Sequence, residues 1–349
     1  MAEIMGIGMS HGPMLYMRDA DMTMFLRRTL ADDRMPDRLR DPRNWPAAMR
    51  SEWADDEGLS AARAHSERCG AANRTLRARL DAFHPDLVLI FGDDQYENFV
   101  EDIVPPFCVF IVDEMLSRPF NTSDGYPAHN IWGEPADTVF HHRGHREAAR
   151  HLAAALAAQD IPVPYAYKLR YTRGLSHAFI NTLMFLDMDR AGFDYPVLPF
   201  HVNCYGGALV RTRGGLDAPP STGDCDPPAP SPTSCFRLGT AVAQAFADSP
   251  WRVAMIASSS WSHAFLTARN DRLFPDHVSD KARLEELRAG RFDRWHELGT
   301  AQLEDAGQHE LLNWITLAGA MSALGKRAEI VDYVDTYLMN SNKCFATFG

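Results

Sequence analysis

Three histidines and one glutamate in this 349-residue sequence stand where side chains do chemistry. His11 sits in Ser-His-Gly-Pro after a short apolar run, where Pro13 and the Gly-Pro pair turn the chain. His177 and His263 each follow a serine, in Gly-Leu-Ser-His and Ser-Trp-Ser-His, again at the ends of apolar runs. A fourth apolar run opens into Gly92-Asp93-Asp94-Gln95-Tyr96-Glu97-Asn98-Phe99, a cluster of carboxylates and amides. Imidazole and carboxylate together suit a divalent metal or proton transfer near neutral pH. Each has a plainer explanation: a Ser-His pair also begins helices, and Asp93 and Asp94 also cap turns.

Glu310 is the fourth candidate. If Gln308 to Ala323 is helical, steps of 100° put Glu310 within about 40° of Trp314, Leu317 and Met321, on an apolar arc. A carboxylate there costs several kcal/mol unless it is paired or bound to a cation. The competing explanation is a first-turn acid that suits the helix dipole and reaches solvent.

These residues need a scaffold that gathers them. Val-, Ile- and Phe-rich runs alternate with helical periods, which predicts an α/β fold: one domain over residues 1–349, with a central mostly parallel or mixed sheet covered by helices. The expected strands are 3–9, 86–91, 108–112, 162–167, 196–203 and 252–257. The expected helices are 60–82, 145–159, 177–188, 235–247, 280–289, 293–303 and 308–323. In such sheets the active site lies beyond the carboxyl ends of the strands, where His11, the Asp-Asp-Gln cluster, His177 and His263 all fall. Residues 16–58, charged and proline-bearing, and residues 214–234, rich in Pro, Gly and Ser, read as insertions; the first would pack over the core or over a neighbouring subunit, and the second as an exposed loop.

Composition narrows the function. With 35 Lys+Arg against 46 Asp+Glu the formal charge is −11, which argues against a nucleic-acid footprint. Six cysteines are too sparse for a disulfide scaffold and, with no C-x-x-C pair, argue against structural zinc. The longest apolar stretch, Leu311 to Gly325, is too short and too interrupted to span a bilayer, and no signal peptide is visible, so a soluble cytoplasmic protein that could pair as a homodimer is expected. Gly6 and Gly8 lack the third glycine and the distal acid of a dinucleotide fingerprint.

Taken in order, Ser-His11-Gly-Pro, Gly-Asp-Asp-Gln, Ser-His263 and His-Glu310-Leu-Leu-Asn-Trp resemble the class III extradiol ring-cleavage dioxygenases of the protocatechuate 4,5-dioxygenase catalytic-subunit type. The resemblance covers most of the chain outside the two insertions, and around Asp-Asp-Gln it is similar to the gallate and 3-O-methylgallate branch. It implies Fe(II) held by two histidines and a glutamate, an aromatic diol substrate and O2. It assigns His11 and Glu310 as metal ligands, His263 as the acid/base group and His177 as a second active-site histidine beside the substrate. At the second histidine ligand the sequence departs from the family: Gln95 occupies that position, and where the gallate-like branch often has a histidine next, Tyr96 follows. Gln95, Glu97, His201 and His129 are the candidates to complete the metal shell. Two other functions share this pocket: a metal-dependent hydrolase, and a non-catalytic small-molecule-binding subunit that has lost a ligand.

Overall fold

All six apolar runs carry a strand, and the central ones alternate side chains between two covered faces. In the computed structural model, which describes residues 2–100, 102–121, 129–206 and 227–349, the chain runs as follows. β1 (Ile4–Met9) leads through three short helices, α1 (Met24–Ala31), α2 (Asp37–Arg40) and α3 (Ala47–Trp53), into the long α4 (Leu59–Phe83). Next come β2 (Leu87–Gly92), β3 (Phe107–Phe110), β4 (Glu114–Ser117), β5 (Phe140–Arg143), α5 (Arg146–Ala158), β6 (Tyr165–Ala166), α6 (His177–Leu186) and β7 (Val197–Val202). The chain continues with α7 (Pro232–Ala247), β8 (Val253–Ser258), α8 (His277–Arg288), α9 (Thr300–Asp305), α10 (Leu311–Ala323), β9 (Ala328–Val334) and β10 (Lys343–Phe348).

Eight strands form one mixed sheet in the order β6-β3-β7-β2-β8-β1-β10-β9, and β4 pairs with β5 separately. The four central strands β7, β2, β8 and β1 are mutually parallel. Their outer neighbours β3 and β10 run antiparallel to them. In β2, Leu87, Leu89 and Phe91 face a core shared with α5, α7 and α10, while Val88 and Ile90 face a core shared with α4 and α6. Residues 16–58 close over this second core with Met22, Leu26, Met35, Leu39, Trp45 and Met49, all buried.

Several expectations need correction. The run 162–167 yields only the two-residue β6, since Pro162 and Pro164 cannot donate to a ladder. The expected helix 293–303 divides into a 3-10 segment, Phe292–Glu297, and α9, with Gly299 extended between them. Its i,i+3 spacing lets Phe292 and Trp295 enter the core together. The hairpin of β9 and β10 was not expected, because β9 is half-exposed and carries Glu329 and Asp332 among its apolar residues. Of the loop expected at 214–234, residues 214–226 lie outside the described residues, and Pro232 to Ser234 already belong to α7. Among the described residues no helix is long and apolar enough to cross a membrane.

Candidate metal centre

The parallel strands end side by side, so the residues just beyond them meet. His11 follows β1, Asp93 follows β2 and His263 follows β8 by a short loop; His177 opens α6. Glu310 immediately precedes α10, one turn earlier than its expected place inside that helix, so the apolar-arc argument does not describe it. It does not reach solvent either, being 1% exposed.

His11, Asp93, His177 and Glu310 each offer a ligand atom, and these atoms all lie within 4.8 Å of one another. His11 Nε2 is 3.3 Å from Glu310 Oε2 and 3.8 Å from Asp93 Oδ1, and His177 Nε2 is 3.9 Å from Asp93 Oδ2. His263 Nε2 approaches the same Glu310 Oε2 at 3.5 Å.

Each imidazole is oriented through its other nitrogen. His11 Nδ1 donates to the Ser258 carbonyl at 2.9 Å, and His263 Nδ1 to the Trp261 carbonyl at 3.0 Å. A carbonyl only accepts, so in both rings Nδ1 carries a proton and Nε2 faces the cluster. His177 Nδ1 meets Glu97 Oε2 at 2.8 Å. A ring nitrogen anchored this way is the usual support of a metal-binding histidine.

The carboxylates are prepared in the same manner. Glu310 Oε1 accepts from the Tyr205 hydroxyl and from Gln95 Nε2 at 3.3 Å, and Asp93 Oδ1 accepts from Asn313 Nδ2 at 3.3 Å. Their other oxygens, Glu310 Oε2 and Asp93 Oδ2, are buried with no hydrogen-bond partner. Two buried carboxylate oxygens without a hydrogen-bond partner, facing ring nitrogens, are a costly arrangement that a cation relieves. Atoms bound about 2.1 Å from one cation stand about 3 to 4 Å apart, so the observed separations suit a divalent ion with small adjustments. Nitrogen and carboxylate donors of this kind fit a first-row divalent metal.

Burial and neighbouring charge drive the ionisable groups apart. Burial and the Glu310 charge raise Asp93 to about 7. Burial would raise Glu310 as well, but His263 and His11 outweigh it and hold the carboxyl below its usual range. Burial lowers the pKa of His263, against the pull of Glu310, so this histidine is neutral at pH 7. Burial acts against a charged His177 too, but Glu97 prevails and pushes it up to about 10.

The motif Asp93-Asp94-Gln95 separates into three roles. Asp94 is the turn cap: it accepts from the amides of Glu97 (2.8 Å), Asn98 (2.9 Å) and Phe99 (3.3 Å). Those bonds hold Tyr96 in the left-handed region at a φ of 62°. Asp93 alone turns into the cluster, and Gln95 reaches Tyr205 and Glu310. Of the other candidates for the shell, Glu97 spends both oxygens on His177, through its Nδ1 and its amide (2.9 Å). His201 is buried against the Phe99 ring, its pKa lowered to about 3 by burial, and His129 is exposed. Neither belongs to a group of three potential ligands among the described residues.

Residues 225–342, which carry both His263 and Glu310, match the family described as the catalytic LigB subunit of aromatic ring-opening dioxygenase. A 2,3-dihydroxyphenylpropionate/2,3-dihydroxicinnamic acid 1,2-dioxygenase of Paraburkholderia phymatum is 27% identical over 308 residues, covering 74% of this chain and 83% of that protein. Its counterpart in Burkholderia vietnamiensis is 26% identical over 307 residues, with the same coverage of 74% and 83%. Over its C-terminal third the chain is thus similar to the class III extradiol dioxygenases, and the resemblance to these relatives extends over 74% of its length. A further dioxygenase of that name from Pseudomonas putida is 31% identical over 132 residues, 38% of this chain and 35% of its own length.

Within this cluster, sequence reasoning passed over two residues. Asp93 was grouped with Asp94, and Tyr205 was not considered. A faint signal existed for each: Asp93 is the first polar residue after a wholly apolar strand, and Tyr205 stands three residues beyond β7, at the same sheet end.

Proposed function

We propose that the enzyme is an iron(II)-dependent extradiol dioxygenase that opens a catechol- or gallate-type ring beside its hydroxyls, inserting both atoms of dioxygen. One observation carries this: a buried set of imidazole and carboxylate atoms with two orphaned oxygens, and a separately oriented histidine, His263, on the same Glu310 oxygen. His11 and Glu310, with Asp93, would hold the metal. Bound there, a redox-active divalent metal supplies Lewis acidity to the ring hydroxyls and the means to activate dioxygen.

The protein's own groups do the rest. His263, neutral and with its Nε2 lone pair turned inward, accepts the proton of a ring hydroxyl and returns it later. Tyr205 and Asn313 occupy the outer oxygens of Glu310 and Asp93, which leaves Oε2 and Oδ2 facing the site. His11, Asp93, His263 and Glu310 are all buried, so water is excluded and charge interactions are strengthened.

The test is anaerobic loading with iron(II), metal analysis, and oxygen uptake with gallate, 3-O-methylgallate, protocatechuate and 2,3-dihydroxyphenylpropionate. The expected result is one dioxygen consumed per ring with at least one of these. Iron-loaded protein that consumes oxygen with none of them overturns the proposal.

A further inference from the structure

The family pattern has a histidine where this chain has Gln95, and an amide is a poorer donor to iron(II) than imidazole. What took over that imidazole's place is legible from three observations. First, Gln95 is engaged elsewhere: its Nε2 donates to the Tyr205 hydroxyl at 2.6 Å and to Glu310 Oε1 at 3.3 Å. It braces the outer oxygen of a ligand.

Second, another imidazole stands in the cluster. His177 comes from the start of α6, not from the β2 loop, and its ring meets that of His11 edge to face with centroids 4.8 Å apart. Glu97 binds it twice, by Oε1 to the His177 amide at 2.9 Å and by Oε2 to Nδ1 at 2.8 Å, so Nε2 is the nitrogen left facing Asp93 and Glu310. Third, the orphaned Asp93 Oδ2 lies on the His177 side, 3.9 Å from Nε2. Glu97 is two residues beyond Gln95, so the loop that lacks the imidazole carries the carboxylate that aims its replacement.

We propose that the second imidazole ligand of the metal centre is His177, oriented by Glu97, and that His11, Asp93 and Glu310 complete a two-histidine, two-carboxylate set from which Gln95 is withdrawn. The inference rests on the metal-dependent reading above. Two carboxylates neutralise a divalent cation, where the family pattern supplies one. His177, once a ligand, no longer serves as a proton carrier beside the substrate, and that work falls to His263.

The test is metal binding by the full-length protein, with cobalt(II) as an optical and redox-stable probe and iron(II) under anaerobic conditions, followed by stoichiometry, affinity and the cobalt d–d spectrum. The variants are Q95A, H177A and E97Q, with H11A as the reference for loss of a ligand. Expected in Q95A is near-stoichiometric metal at saturating cobalt(II) with d–d bands of the wild-type coordination number, and an affinity loss no larger than that for an orienting partner, since Gln95 braces Glu310 without being a ligand. Affinity falls at least about tenfold in H177A, and on the order of 10- to 100-fold in E97Q, the range for loss of a ligand's orienting partner. E97Q keeps the imidazole and the shape of the loop, so it decides the matter if H177A does not fold. Loss of metal in Q95A with H177A and E97Q unchanged overturns the assignment while leaving a metal enzyme. Wild-type protein that binds neither metal overturns the assignment and the metal-dependent reading together.

Discussion

Asp93 and Glu310 are the same functional group in one buried site, yet one is raised to about 7 and the other held below the ordinary range. The difference comes from neighbours: Glu310 faces His11 and His263 at 3.3 and 3.5 Å, whereas Asp93 is farther from its histidines and feels the charge of Glu310. A cation between them removes the repulsion, because its charge exceeds any other nearby. His263 approaches Glu310 at 3.5 Å, and the acid/base chemistry of the proposed reaction is assigned to it. Its replacement in H263Q is expected to lower kcat for ring cleavage about 10²- to 10⁴-fold, with metal content by elemental analysis unchanged. Since burial lowers the pKa of His263, the wild-type acid limb in kcat/KM is expected below about 6.5, the ordinary histidine value, and to vanish in H263Q.

Between elements, the site is held by groups that never touch substrate. Asp280 of α8 is wholly buried and accepts from Ser262 N and Oγ (3.1 and 2.6 Å), Gln308 Nε2 (2.6 Å) and Asn342 Nδ2 (2.7 Å). One carboxylate thus ties the loop of His263, the turn before Glu310 and the segment leading into β10. Burial raises its pKa to about 6 despite those donors. A folded-state pKa above the unfolded value of 3.8 means the native state binds the extra proton between about pH 4 and 6, so this contribution to stability is lost as pH rises through that window. Urea unfolding is expected to show wild type losing about 2 kcal/mol relative to D280N from pH 4 to 6, and less than about 0.5 kcal/mol more above pH 6. The helices α7 and α10 meet through glycine: a Cβ at Gly239 would stand 1.8 Å from the Thr316 carbonyl oxygen, and one at Gly319 2.0 Å from that of Phe236. Backbone cannot step aside as a side chain does, so G239A is expected to cost at least about 2 kcal/mol, read from the urea midpoint. Six of the ten strands among the described residues were legible because short continuous apolar runs, the mark of strands buried on both faces, are local. The hairpin β9–β10 was not, since its outer strand is half-exposed and its register depends on β1.

At the scale of the whole molecule, the proposed centre draws on residues from position 11 to position 310, attached to β1, β2, α6 and α10. Unfolding destroys it completely, so a metal that binds only the native state stabilises the entire fold. At a free concentration a hundredfold above Kd the gain is about 2.7 kcal/mol. For a chain of this size a rise in Tm of several degrees on adding cobalt(II) is expected, reversed by a chelator, and absent in H11A. Scanning calorimetry under anaerobic conditions checks it.

Local rules alone determined that the chain builds an α/β sheet and that His11, the Asp93–Gln95 cluster, His177 and His263 stand at strand ends or just beyond, because periodicity and turn chemistry act within a few residues. They could not distinguish Asp93 from Asp94. That choice depends on Asn313, 220 positions away, which occupies one oxygen of Asp93, while amides within the loop saturate Asp94. Nor could they place His177 beside His11, or turn Gln95 toward Tyr205, 110 residues distant. These follow from strand order: β1, β8, β2 and β7 are neighbours in the sheet though far apart in sequence, and only that adjacency brings their ends within reach of one ion.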